Sequence, residues 1–212
     1  MSRADISENR TSAERVSPEK MQQIVQAARD LFMSRGFSAT SMEAIARAAG
    51  IGKATLYANF PRKDDVFGAV VSGESATRED ILFGENELDD PIGDALLRFA
   101  AAFLDLLLSP TNVAMYRIVS AEANRFPELG HIFYSEGPAR VIESLGKYLE
   151  KGMKAGKLTA GPPTLVAAQF IGLIRADLQT QAMLGVEENP SPDVRRAVVD
   201  SGVAAFLRAY AG

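Results

Sequence analysis

The run Lys53-Ala54-Thr55-Leu56-Tyr57 carries the groups a helix needs to read DNA. Lys53 can donate to guanine O6 and N7, and Thr55 offers a methyl and a hydroxyl to a base edge. Ala54 is small enough to permit close approach to the groove floor. The Tyr57 phenol can reach a phosphate. Lys63 stands at the first turn of the next helix, where unpaired backbone N–H groups already favour an anion. Thr40 and Ser41, at the start of the preceding helix, complete the set, Ser41 as a phosphate anchor.

These side chains need a scaffold, and the stretch from Thr40 to Lys63 supplies one. Thr40-Ser41-Met42-Glu43 fits a capping box, with Thr40 accepting from the N–H of Glu43 and Glu43 reaching back. Met42, Ile45, Ala46 and Ala49 then share one face of a short helix. Gly50 suits the left-handed position that ends it, and Ile51 fills the space before a second helix from about Gly52 to Asn59. Leu56 and Phe60 face inward there, and Lys53, Ala54, Thr55 and Tyr57 face outward. This is a helix-turn-helix pattern. The same spacing also suits an ordinary helical hairpin with solvated polar residues.

Upstream, Ser17-Pro18-Glu19 is a strong helix start: N-cap, first-turn Pro, and an acid at the positive end of the dipole. Ile24, Ala28, Leu31 and Phe32 form its apolar stripe, Gly36 stops it, and Phe37 closes a three-helix core with Ile45, Leu56 and Phe60. Residues 1–16 are polar and without periodicity, which predicts a mobile tail. Arg3, Arg10 and Arg15 there could form an arm for the minor groove.

The segment GIGKATLYANFPRKDDVF resembles the signature of tetracycline-repressor-type (TetR family) transcription regulators. The shared features are a small turn, a recognition helix containing T-L-Y, and a Lys at the next helix start. The likeness extends back through AARDLFMSRGFSATSMEAIARAAG and covers residues 16–70. Gly52 stands where the family usually has a capping Ser or Thr, and Arg62 where a capping Ser is common. The stretch from YRIVSAEANRFPELG onward resembles the AefR-like C-terminal domain of some members.

With 212 residues and 47% hydrophobic side chains, the chain is long enough for a sizeable core. The apolar spacing is helical, without an alternating strand run. The fold class expected is all-α, about nine helices in all: a tail over 1–16, a helix-turn-helix domain over 17–62, and a larger helical domain over 63–212. Charge is uneven. Residues 15–63 carry eight basic and three acidic side chains, and residues 68–212 carry 13 and 19. A cationic module on an acidic body suits a polyanion partner at the N-terminal end. No signal peptide and no uninterrupted apolar span are recognised, so a cytoplasmic protein without a membrane partner is expected.

Chemistry of other kinds finds little support. There is no Cys and one His, His131, so a thiolate or His-rich metal site is excluded. Gly52-Lys53 is not a phosphate-binding loop, because Arg47 and Ala54 occupy positions that need Gly and Ser or Thr. No G-x-S-x-G or H-E-x-x-H is present, and no cofactor is expected. Three readings remain: a DNA-binding regulator, a helical binding module whose helix-turn-helix does not read DNA, and an unrecognised enzyme. The first is preferred.

The resemblance implies a homodimer on a pseudo-palindromic operator in double-stranded DNA, most often a repressor, released when a small effector binds the C-terminal domain. An apolar effector is expected, aromatic or not, with one polar or acidic group. Candidate linings are Phe99, Phe103, Met115, Tyr116, Val119, Phe133, Phe170, Ile174 and Arg175, with Tyr116 and Arg175 as the polar pair on an apolar stripe. Two final helices, about 164–184 and 193–210, would pair with their copies through Ala167, Phe170, Ile171, Val203 and Phe206. Those same residues could equally fill the chain's own core.

Overall fold

A computed structural model describes residues 16–82 and 91–212 (the backbone alone for 74–82). The tail with Arg3, Arg10 and Arg15, and the acidic loop 84–90, lie outside the described residues. Eleven helices are present among the described residues: α1 Pro18–Ala39, α2 Met42–Ala48, α3 Lys53–Asn59, α4 Lys63–Leu82, α5 Ile92–Leu107, α6 Pro110–Glu122, α7 Pro127–Glu136, α8 Pro138–Lys154, α9 Pro163–Arg175, α10 Leu178–Leu184 and α11 Pro192–Tyr210. Among them there is no strand; an isolated bridge joins Leu158 to Ala211.

The all-α class holds, with two more helices than expected. The segment around Leu129, Ile132 and Phe133 forms α7. The expected helix 164–184 is broken into α9 and α10 at Ala176, whose φ of 42° and ψ of −127° cannot continue an α-helix. That conformation is strained for a residue with a Cβ.

Contacts divide the described residues into two compact units, the first of residues 16–74 and 118–133, the second of 75–82, 91–117 and 134–212. In the first unit, α1 starts as expected: the Ser17 hydroxyl accepts from the Lys20 N–H and Pro18 takes the first turn. Ile24, Ala28 and Phe32 are its buried stripe. Gly36, at φ 81° and ψ 167°, breaks the helix near its end and turns Phe37 inward. Phe32, Phe37 and Phe67 then pack mutually at 5.5 to 5.6 Å between centroids, and Phe126 stands 5.5 Å from Phe37. Such edge-on and tilted pairs add to the burial of their rings. Leu56, Ile45 and Phe60 complete this core.

The second unit is built on the stripe Leu96, Phe99, Ala100, Phe103, Leu104 and Leu107 of α5, packed with α8, α9 and α11. A chain of rings runs through it: Phe103 to Phe99 at 5.7 Å, Phe99 to Phe170 at 6.0 Å, and Phe170 to Phe206 and Phe206 to Tyr210 at 4.8 Å each. Helices α9 and α11 meet closely at Gly202. A Cβ there would lie 3.0 Å from the Leu173 carbonyl oxygen and 3.1 Å from the Ile174 Cα, so a larger residue would push the two backbones apart by a few tenths of an ångström.

Candidate nucleic-acid interface

Helices α2 and α3 are joined by a turn whose hydrogen bonds fix it. Gly50, at φ 62°, takes the left-handed position; its N–H donates to the Arg47 carbonyl and the Ile51 N–H to that of Ala46. This is the Schellman arrangement, and glycine is favoured there because it has no Cβ to clash. Beneath the turn Met42, Ile45, Leu56 and Phe60 are buried. The backbone of α3 is thereby held while its other face is left to solvent.

The expected outward set is found there. Lys53, Ala54 and Tyr57 are exposed and Thr55 is half-buried. Tyr57, 43% exposed, is among the most exposed large side chains of the first unit. Gly52 leaves the start of α3 without a side-chain cap, as its lack of a hydroxyl requires. At α4 the cap is supplied from within the helix instead, since the Arg62 N–H donates to Asp65 Oδ2 at 2.8 Å. The Arg62 side chain pairs with Asp64.

The N-cap is one residue later than expected, and with Ala44 at its third position it is not a capping box. The N-cap of α2 is Ser41, whose hydroxyl accepts from the Ala44 N–H at 3.2 Å. Thr40 is buried, 2% exposed, and belongs to α1: its hydroxyl donates to the Gly36 carbonyl at 2.8 Å and closes the end that Gly36 opens. Thr40 thus supports the fold beneath the interface rather than presenting its side chain there. Ser41 is exposed and keeps a surface position.

Two cations have partners that periodicity could not show. Lys53 Nζ lies 3.3 Å from Glu43 Oε1 of α2. The Glu43 carboxyl is held below the usual carboxylate range, first by its own backbone N–H and then by Lys53. Lys63 Nζ turns inward, donating to the Phe37 and Thr40 carbonyls at 2.6 and 2.8 Å. Partial burial lowers its pKa, against the opposing pull of Asp64 and Glu122. Glu43 was the residue missed as a member of this face; its position ten residues before Lys53 gives no local signal.

In the second unit the expected effector residues separate. Phe99, Phe103, Phe170 and Ile174 share one apolar core. Met115 is buried on α6. Tyr116 is half-buried beside Gln179 and Arg175; burial raises its pKa, and the hydrogen bond from Gln179 and the Arg175 charge oppose the rise. Arg175 donates to Gln179 Oε1 at 3.2 Å. Val119 and Phe133 are packed in the first unit. An open groove of about 800 Å³ runs along α5 and α11, lined by Leu97, Ala101, Leu104 and Val199 and edged by Arg98 and Arg196. None of the nine expected residues lines it.

The residues expected at the subunit contact lie inside the chain's own second unit. Ala167, Phe170, Val203 and Phe206 are buried in the subunit's own core, and Ile171 packs against it. The exposed apolar side chains of these helices are different ones: Leu165 and Leu173 on α9 and Val194 on α11.

Likenesses to known proteins bear on this arrangement. Residues 24–70 match the bacterial regulatory proteins of the tetR family, and residues 94–212 match the C-terminal domain of AefR-like transcriptional repressors. Among solved structures, the chain is similar to the flavonoid-responsive regulator FrrA, with 35% identity, 92% of this chain and 98% of that one covered, and a TM-score of 0.79. It is also similar to a TetR transcriptional regulator from Agrobacterium tumefaciens, at 26% identity over 92% of this chain and 96% of that one, with a TM-score of 0.74. The uncharacterized HTH-type transcriptional regulator YvkB of Bacillus subtilis (strain 168) is 26% identical over 71% of this chain and 77% of its own length. Among the described residues no helix is long and apolar enough to cross a membrane, and no group of three or more His, Cys, Asp or Glu could hold a metal ion. With a helix-turn-helix whose reading face is open and a C-terminal half that matches in full, the chain belongs to the TetR family of DNA-binding transcriptional regulators.

Proposed function

We propose that this regulator is a cytoplasmic repressor that binds a pseudo-palindromic operator as a homodimer and releases it when a small apolar effector occupies the second unit. The observation that carries the reading is the exposed face of α3, with Lys53, Ala54 and Tyr57 turned to solvent while Leu56 and Phe60 anchor the helix from below. The helix is short, so its first turn and a half is the part that reaches base edges, and Tyr57, Ser41 and Lys63 are assigned to the phosphates.

Two half-sites on one face of B-DNA lie about 34 Å apart. A shift of a few ångströms between paired reading heads therefore disengages one of them. The effector acts by binding the DNA-incompetent state more tightly. Its class is argued from two features. The second unit offers an apolar core edged by the polar group Tyr116, Gln179 and Arg175, and the similar regulator FrrA is flavonoid-responsive. An aromatic molecule carrying phenolic or acidic groups fits both.

The test is an electrophoretic shift with genomic fragments from the host, repeated across salt concentrations and with a panel of flavonoids and simpler phenolic acids. The expected result is a specific fragment retained with a steep salt slope and released by at least one aromatic effector. Retention of no fragment at any salt would favour the other reading, a helical binding module whose helix-turn-helix does not read DNA.

A further inference from the structure

On the reading that α3 enters the major groove, we propose that Glu43 and Lys53 act as one reader of a single C·G base pair, Lys53 donating to guanine and Glu43 accepting from the cytosine paired with it. The two side chains come from different helices. Glu43 Oε1 and Lys53 Nζ are 3.3 Å apart, and the side chains are 41% and 65% exposed. Their spacing rests on rigid elements: the Gly50 turn between α2 and α3, and the buried Ile45 and Leu56 beneath it. Exposed ion pairs of this kind add little to stability.

The chemistry of a C·G pair matches this arrangement. Its major-groove edge shows the O6 and N7 acceptors of guanine and the N4 amino donor of cytosine. N4 and O6 are joined by a Watson–Crick hydrogen bond, so they lie about 2.9 Å apart. A carboxylate oxygen and an ammonium 3.3 Å apart present the opposite polarity at nearly the same spacing. Docked edge to edge, each charge keeps its neighbour and gains a base partner. A carboxylate held ionised is an acceptor only, so Glu43 has no donor to offer an acceptor edge and disfavours a base without an amino group at that point.

A lone lysine would be less selective, since every base pair shows at least one acceptor in the major groove. The A·T pair also sets a donor beside an acceptor, N6 against O4. There the ammonium meets one acceptor crowded by the thymine methyl, instead of the two on guanine. Guanine and cytosine together therefore satisfy both side chains best. The pair also gives direction: Lys53 marks the guanine strand and Glu43 the cytosine strand of each half-site.

The experiment is selection from a random double-stranded library at fixed salt with the full-length chain and its Glu43→Ala, Glu43→Gln and Lys53→Ala variants. The wild-type motif is expected to hold one C·G pair per half-site that becomes degenerate in both alanine variants, with about tenfold discrimination lost there. A duplex in which that cytosine is replaced by 2-pyrimidinone, which lacks the N4 amino group, should bind wild type about tenfold more weakly and Glu43→Ala no more weakly than its parent duplex. The proposal is overturned if the Glu43 variants keep the motif and bind every sequence more tightly, which would make Glu43 a mere repeller of phosphates. It is equally overturned if the pair lost is A·T or if nothing changes. A wild-type chain that enriches no motif overturns the regulator reading itself.

Discussion

The Lys63 ammonium stands 4.1 Å from the centroid of the Phe37 ring and donates at 2.6 Å to the carbonyl oxygen of that same residue. With the second bond to Thr40, it ties the start of α4 to the end of α1 and the cap that follows it. A lysine assigned to the phosphate backbone is therefore also a clasp, which joins the Thr40 N–H on the Phe37 carbonyl and takes the Thr40 carbonyl as well.

Replacing Lys63 by methionine keeps much of its stem and removes the clasp. The expected loss of stability is about 1–2 kcal/mol, in the lower range for charge-assisted bonds because the site is partly exposed. Thermal unfolding measures it. If the third proton of the ammonium also meets a phosphate, the salt slope of DNA binding falls by about one unit. A lowered melting temperature with an unchanged slope would leave Lys63 as a clasp only.

On the reading face, Lys53→Ala should cost about 1–3 kcal/mol on the preferred operator and much less on random DNA. Ala54→Leu should weaken both strongly, because the larger side chain holds the helix off the groove floor. Tyr57→Phe should weaken all sequences alike by about 0.5–1.5 kcal/mol, the size of one neutral hydrogen bond. A competition assay across operator variants reads all three. A Lys53→Ala loss equal on every variant would assign base reading elsewhere.

The subunit interface is expected on the faces that α9 and α11 leave exposed. Leu173→Arg, on a side chain 40% exposed, should give folded monomers in sedimentation, since a charge buried without a partner opposes association. Phe170→Arg should instead unfold the second unit, because Phe170 is fully buried within it. An intact dimer with Leu165→Arg and Leu173→Arg combined would move the interface to another surface.

Tyr116 offers a pH test with a definite sign. Burial raises its phenol pKa above the ordinary 10.0, so the unfolded chain gives up that proton first. The stability tied to the neutral phenol is full below about pH 10 and is lost as pH rises through the folded value. Ultraviolet titration should show a late ionisation step, and Tyr116→Phe should remove it. A titration curve that Tyr116→Phe leaves without a lost late step would place Tyr116 in a more open site than its packing implies.

The first unit was largely legible because local rules govern it. Ser17-Pro18, Gly36, Gly50 and the Leu56–Phe60 spacing each act within a few residues, and each is found where those rules put it. The displaced cap shows their limit: Thr40 and Ser41 both suit an N-cap, and the choice was made by the Gly36 carbonyl, which takes the Thr40 hydroxyl. Glu43 and Lys63 have partners ten and more residues away, beyond the reach of periodicity. In the second unit the difficulty is symmetry of a kind. Helix α9 carries apolar residues on two faces, Val166, Ala167, Phe170 and Ile174 on one, Leu165 and Leu173 on another. Spacing reveals both stripes, and only packing tells which one turns inward. The break at Ala176 had no signal, since no Gly or Pro marks it.

The crossing at Gly202 has a mechanical meaning. Because α11 rests on the backbone of Leu173 and Ile174 with no side chain between, there is no rotamer there to change and no gap to close. Helices α9 and α11 are therefore held backbone to backbone at that point, which opposes sliding of one past the other. On the proposed reading, an effector that bends the second unit would do so through its other helices.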